Sequence, residues 1–142
     1  MLSDMYKLIP SSDRLLFVDI ATPVGTDEVA RLSAELSATL KTMAEQIIFV
    51  VDWSRAELLP PHVTKAYLTM MRADNPRILR SAFMVSENGL AGQQLERLIS
   101  EAGNPKRRLF RNRPELETWM QEVTTPGEQQ SLRAHLNGNG HK

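Results

Sequence analysis

The chain has 142 residues, 42% of them hydrophobic and 24% charged. That composition suits one globular domain and excludes a disordered chain. Seventeen basic residues balance seventeen acidic ones, so the molecule as a whole is no electrostatic attractor for nucleic acid. There is no cysteine, which excludes a disulfide framework, a thiolate-ligated zinc site and a cysteine nucleophile, and fits a reducing, cytoplasmic setting.

The opening MLSDMYKLIPSSDRLL carries Asp4 and Asp13 around a short apolar stretch. It lacks the basic and apolar regions of a signal peptide, and none is expected. Residues 6–9 read as an edge strand closed by Pro10. Residues 14–21 (RLLFVDIA) read as a buried strand, followed by a turn at Pro23 and Gly25. Thr26 is the expected N-cap of a helix with Asp27 and Glu28 in its first turn. Val29, Leu32, Leu36, Leu40 and Met43 form its apolar stripe. Residues 46–52 (QIIFVVD) read as the central strand, an apolar run covered on both faces. It is also the longest such run, too short to span a bilayer.

Residues 53–59 are expected to leave the sheet, and Pro60 and Pro61 to open a second helix that ends at Asn75-Pro76. Residues 80–86 (RSAFMVS) read as a strand, with a turn at Asn88 and Gly89. Residues 90–102 follow as a helix stopped by Gly103. Residues 107–111 (RRLFR) read as a charged edge strand. Asn112 caps a helix carrying Leu116, Trp119, Met120 and Val123. Thr125, Pro126 and Glu128 spell a capping box for a last short helix.

The order β-β-α-β-α-β-α-β-α-α predicts an α/β fold. Its single mixed, mostly parallel sheet has about five strands, with helices packed against it and a short C-terminal helix. Residues 1–124 form the domain, 125–136 the capping helix and 137–142 (NGNGHK) a disordered tail.

Common catalytic patterns are missing. The seven glycines spell neither GxGxxG nor GxxxxGK[ST], and no GxSxG or HExxH occurs. His62, His135 and His141 are scattered, so no metal and no cofactor is predicted. Asp52 ends the central strand. Asp19, Asp52, Ser86 and Lys106 together suggest a phosphoacceptor domain. One β-α unit too few lies between the two aspartates, and Asp19 is followed by Ile20 where a second acid would hold magnesium. Asp52 therefore reads as a turn-capping residue. Between positions 72 and 113, nine basic residues face four acidic ones, a local excess of +5. Lys106, Arg107, Arg108 and Arg111 are its anion-binding candidates. Without interleaved exposed aromatics they argue against nucleic acid.

The segments QIIFVVDWS, NPRILRSAFMVS and RRLFRNRPELETWMQEV resemble the SpoIIAA-like proteins, a branch of the STAS fold also grouped with CRAL-TRIO lipid-binding domains. The likeness covers residues 5–123. It implies a non-enzymatic regulatory or scaffolding module that binds a protein partner. In that family, a serine in an Asp-Ser-Gly context opens the helix after the central strand and is phosphorylated. Here that stretch is Leu58-Leu59-Pro60-Pro61-His62, so the phosphoswitch is expected to be missing. Ser54 and Thr64 are the nearest hydroxyls.

The expected partner surface comprises Trp53, Ser54, Leu58, Leu59, His62 and Thr64, with Trp53 as anchor. The partner is a protein, and homodimerisation stays open. The alternative is a small-ligand or lipid-binding domain with a pocket near the end of the central strand.

Overall fold

The computed structural model describes residues 6–21, 25–87 and 89–141. Asp4, the turn residues Pro23 and Asn88, and Lys142 lie outside them. Five strands form one sheet in the order β1 (Tyr6–Pro10), β2 (Leu15–Ala21), β3 (Ile47–Arg55), β4 (Ile78–Met84) and β5 (Arg107–Phe110). β1 pairs antiparallel with β2, and the other pairings are parallel. Each parallel step is made by one helix: α1 (Thr26–Leu40), α2 (Pro61–Asp74) and α3 (Leu90–Ala102). Two further helices, α4 (Arg113–Gln121) and α5 (Pro126–Gly138), follow β5. The expected α/β class and mostly parallel five-stranded sheet are what the chain adopts.

Side chains alternate across a strand, and here the alternation divides two cores. Leu16, Val18, Phe49, Val51 and Trp53 face α1, α2 and α3. Leu15, Phe17, Ile48, Val50, Ala82 and Phe110 face α4 and α5, which contribute Leu116, Met120, Leu132 and Leu136. Covering both faces explains the unbroken apolar run of β3. Among the described residues, no helix is long and apolar enough to cross a membrane.

Several boundaries differ from expectation: β4 runs from Ile78 to Met84, two residues earlier than read from the sequence. Gly25, not Thr26, is the N-cap of α1, and the Glu28 carboxylate accepts from its backbone N–H at 2.7 Å. β3 continues through Trp53, Ser54 and Arg55 instead of ending at Asp52. The alternation Ile47, Phe49, Val51, Trp53 simply runs one step further.

The chain end is a larger correction. The segment expected to be disordered continues α5 to Gly138 and closes it with paired backbone bonds. Gly140 N–H donates to Asn137 O and His141 N–H to Leu136 O, both at 3.0 Å. This is a Schellman closure. It requires the left-handed backbone of Gly140, at φ 87°. A glycine composition that reads as flexible is therefore a helix stop that folds His141 back onto the protein.

Candidate functional site

At their carboxyl ends, β2 and β3 turn polar on the face covered by α5. The sequence alternates Leu15, Phe17, Asp19 on one strand and Ile48, Val50, Asp52 on the next, and Asp19 and Asp52 are paired in register. Leu132 and Leu136 of α5 pack on the apolar part of these columns. The following turn brings polar groups over the carboxylates. His135 stacks on Phe17 at 4.2 Å with the rings 2° from parallel, and its Nε2 lies 2.9 Å from Asp19 Oδ1. Asn139 Nδ2 donates to Asp19 Oδ1 at 3.2 Å and to Asp52 Oδ2 at 2.8 Å. His141 Nε2 lies 2.9 Å from Asp52 Oδ2.

Asp52 is only 4% exposed. Its other oxygen accepts from the Ser54 amide at 3.0 Å and the Ser54 hydroxyl at 2.6 Å. Burial alone would raise its pKa. The bonds from Ser54 and His141 outweigh that and hold it below the ordinary carboxylate value. Asp52 lies inside β3 and does not cap a turn after it as expected; its two oxygens hold Ser54 of the same strand and the chain end. Beside the pair lies a crevice of about 160 Å³, lined by Lys7, Asp19, Asp52, Arg55 and Asn139 among others. Crevices at the carboxyl ends of parallel strands are the usual ligand positions of α/β sheets.

Ser54, His141 and Asp52 do not form a nucleophilic relay. Such a relay passes a proton through opposite nitrogens of the imidazole. Here the same nitrogen, His141 Nε2, faces both Asp52 Oδ2 and Ser54 Oγ, the latter at 3.5 Å. The serine hydroxyl donates instead to Asp52. Among the described residues, no group of three or more His, Asp or Glu is placed to hold a metal ion.

The six expected partner-binding residues separate. Trp53 is 3% exposed and packs edge-on against Tyr67 and Phe83. It cannot anchor a partner as expected, because the strand alternation turns it into the core. Leu59 is also buried, and its backbone is clamped by Gln94, whose Oε1 accepts from Leu59 N–H at 2.9 Å while Nε2 donates to Leu59 O at 2.8 Å. Ser54 points to the other face, toward Asp52 and His141. The Thr64 hydroxyl donates to Pro61 O at 2.7 Å. Leu58 and His62 stay exposed.

The sequence did not single out Leu90, which opens α3, as a surface residue. Gln94 lies one helical turn after Leu90 on α3, and its clamp ties Leu59, the residue after Leu58, to that helix. Leu58 and Leu90 are 54% and 62% exposed, the two most exposed large apolar side chains among the described residues.

The basic segment separates too. Arg107 is 6% exposed and donates to Met71 O and Asn75 Oδ1. Burial pulls its pKa down to about 10, against a partly offsetting attraction to Asp74. It is therefore not available to an anion. Lys106 and Arg108 are exposed. The Arg108 guanidinium lies over Phe110 at 5.4 Å and Trp119 at 5.9 Å. Arg111 is half-buried against α3, where a side chain at Gly92 would meet its guanidinium at 3.0 Å.

Comparison of the chain with protein-family models, with curated proteins and with solved structures finds no match.

Proposed function

We propose that the chain is a non-enzymatic regulatory or scaffolding module of STAS-like fold that binds a protein partner through the carboxyl-end rim of its sheet. The observation that carries this reading is the exposure of two large leucines, Leu58 and Leu90, on segments that the Gln94 clamp joins. Large exposed apolar side chains that come together mark contact surfaces. The rim also lies where the resemblance to the SpoIIAA-like proteins implies partner binding, at the helix after the central strand. The usual phosphoserine has no counterpart there, and the Thr64 hydroxyl is spent on Pro61. We propose a cytoplasmic setting.

The test is a comparison of wild type and the double variant Leu58→Glu/Leu90→Glu. Both should melt at the same temperature. A partner captured by wild type and rebuilt from purified components, or a homodimer seen by light scattering, should be lost from the variant. Equal binding by a folded variant removes the proposal.

A second reading, a small-ligand pocket near the end of the central strand, is supported by the crevice beside Asp52. Its polar walls favour a polar small molecule over a lipid tail. A thermal-shift screen with nucleotides and lipids that gives no response removes this reading.

A further inference from the structure

β5 forms one edge of the sheet, with β4 as its neighbour. In a parallel pair, every second residue turns its backbone N–H and C=O toward the neighbouring strand, and the residues between turn theirs away. Ser81 N–H donates to Lys106 O at 2.9 Å and Val85 N–H to Phe110 O at 3.0 Å. The backbones of Lys106, Arg108 and Phe110 therefore face β4, and those of Arg107 and Leu109 face away. Arg107 N–H is satisfied locally by Asn104 O at 3.1 Å. Leu109 N–H and C=O point out from the edge, and no described residue bonds them. Such an edge is a template for one more strand.

Side chains along the edge select what can add. They alternate between its two faces. Arg108 and Phe110 line a groove of about 420 Å³ beside α4, together with Pro114, Thr118 and the half-buried Trp119. Leu109 packs against the opposite core, and the half-buried Arg111 lies near Gly92 of α3. Two acids also line the groove, Glu115 and Glu122, and Arg80 pairs with Glu122 at 2.8 Å. Lys106 and Arg108 are exposed. A second copy of β5 would set Lys106, Arg108 and Arg111 against the same three charges, at a cost. The charges that repel such a copy attract an acidic strand.

We propose that an extended acidic segment of a partner protein adds to β5 as an antiparallel strand. It pairs with the Leu109 backbone, sets carboxylates beside Lys106, Arg108 and Arg111, and lays a large apolar side chain in the groove against Trp119. This surface uses neither Leu58 nor Leu90, so it stands or falls independently of the rim.

The probe is the peptide acetyl-Asp-Phe-Val-Glu-Val-Glu-amide. With its first Val opposite Leu109, its Phe falls opposite Phe110 and its acids opposite Arg111, Arg108 and Lys106. ¹⁵N-labelled full-length protein is titrated at low salt, where surface charges are least screened. The Leu109 amide and the two indole N–H resonances are followed, the indoles assigned with a Trp119→Phe variant. The Leu109 amide should move saturably and exchange more slowly with solvent. The Trp119 indole should move, and the buried Trp53 indole should not. N-methylation of the first Val should abolish binding, because it removes the donor to Leu109 O. The uncharged analogue acetyl-Asn-Phe-Val-Gln-Val-Gln-amide should bind about tenfold more weakly. Arg108→Glu should weaken the acidic peptide by about as much, with an unchanged melting temperature. A Leu109 resonance unmoved at millimolar peptide overturns the proposal, and so does equal binding of the N-methylated or the uncharged peptide. Tighter binding of a single-stranded oligonucleotide at this edge would make the partner a nucleic acid and overturn it too. A Leu109 amide already protected in a dimer of the free protein would give the edge to a second copy instead.

Discussion

Glu128 joins the last helix to the sheet, and Glu128→Gln tests how firmly. Glu128 is the third residue of α5, and its carboxylate closes the capping box on the Thr125 N–H at 2.9 Å. The same carboxylate accepts a forked pair from Arg14, Nε at 3.0 Å and Nη2 at 2.8 Å, and a bond from the Ser12 hydroxyl at 3.1 Å. Bonds from Arg14, opposed by burial, bring its pKa from 4.5 to about 2. At about 1.4 kcal/mol for each tenfold, the ionised form stabilises the fold by about 3 kcal/mol. The folded value lies below the unfolded one. The contribution is therefore complete above pH 4.5 and is lost as the pH falls through the folded value near 2. Urea denaturation of wild type and Glu128→Gln at pH 7 should differ by about 3 kcal/mol, and at pH 3 by about half that. A difference that does not change with pH would refute the reasoning, since a purely steric effect of the amide has no such window.

Two further outcomes separate the roles assigned to charged residues. Arg107→Met should cost about 2–3 kcal/mol, because it strands the Met71 carbonyl and removes one of the partners of Asn75. Lys106→Met and Arg108→Met should stay within about 0.5 kcal/mol, and equal effects in a melting series would contradict this division. The double variant Asn139→Ala/His141→Ala leaves Asp52 Oδ2 without the two partners described above. It should lose about 1–3 kcal/mol and the hydrogen-exchange protection of the last turn of α5. Unchanged stability and exchange would mean that the chain end does not hold the carboxylates in solution.

Element order was legible in the sequence because each element carries its own signal. The runs in β2 and β3 and the three- and four-residue spacings in α1 and α3 are local patterns that packing then rewards. The reading failed where a residue's role depends on distant partners. Asp52 after an apolar run looks like an exit from the sheet. It stays inside because Ser54, Asn139 and His141 satisfy its oxygens. With that exit assumed, Trp53 reads as a loop anchor, although the period-two pattern assigns it to the face of Val51. Asp19, Asp52 and the histidines were each visible alone. Their convergence needs both the register of β2 on β3 and the placement of α5 across it, and neither is a local property. The tie of the Leu59 backbone to α3 through Gln94 likewise joins positions 35 residues apart.

The basic excess between positions 72 and 113 has the same non-local origin, and it changes what the charge is for. Arg77 donates to Leu40 O and Ala44 O, at and just past the end of α1. Arg107 reaches Met71 O in the last turn of α2, Arg72 reaches Glu101 O in the last turn of α3, and Arg80 reaches Trp119 O in the last turn of α4. Arg113 donates to His141 O, just beyond α5. The last carbonyls of a helix lack backbone partners and carry the negative end of its dipole, so a guanidinium from another element both pairs and neutralises them. Four of the nine basic residues, Arg72, Arg77, Arg80 and Arg107, are thus committed to the ends of α1 to α4, and Arg113 holds the chain end beyond α5. Much of the basic excess therefore fixes helix ends against their neighbours, and Arg107 is the one anion-binding candidate used in this way. Of the four anion-binding candidates, only Lys106 and Arg108 remain exposed to meet a ligand.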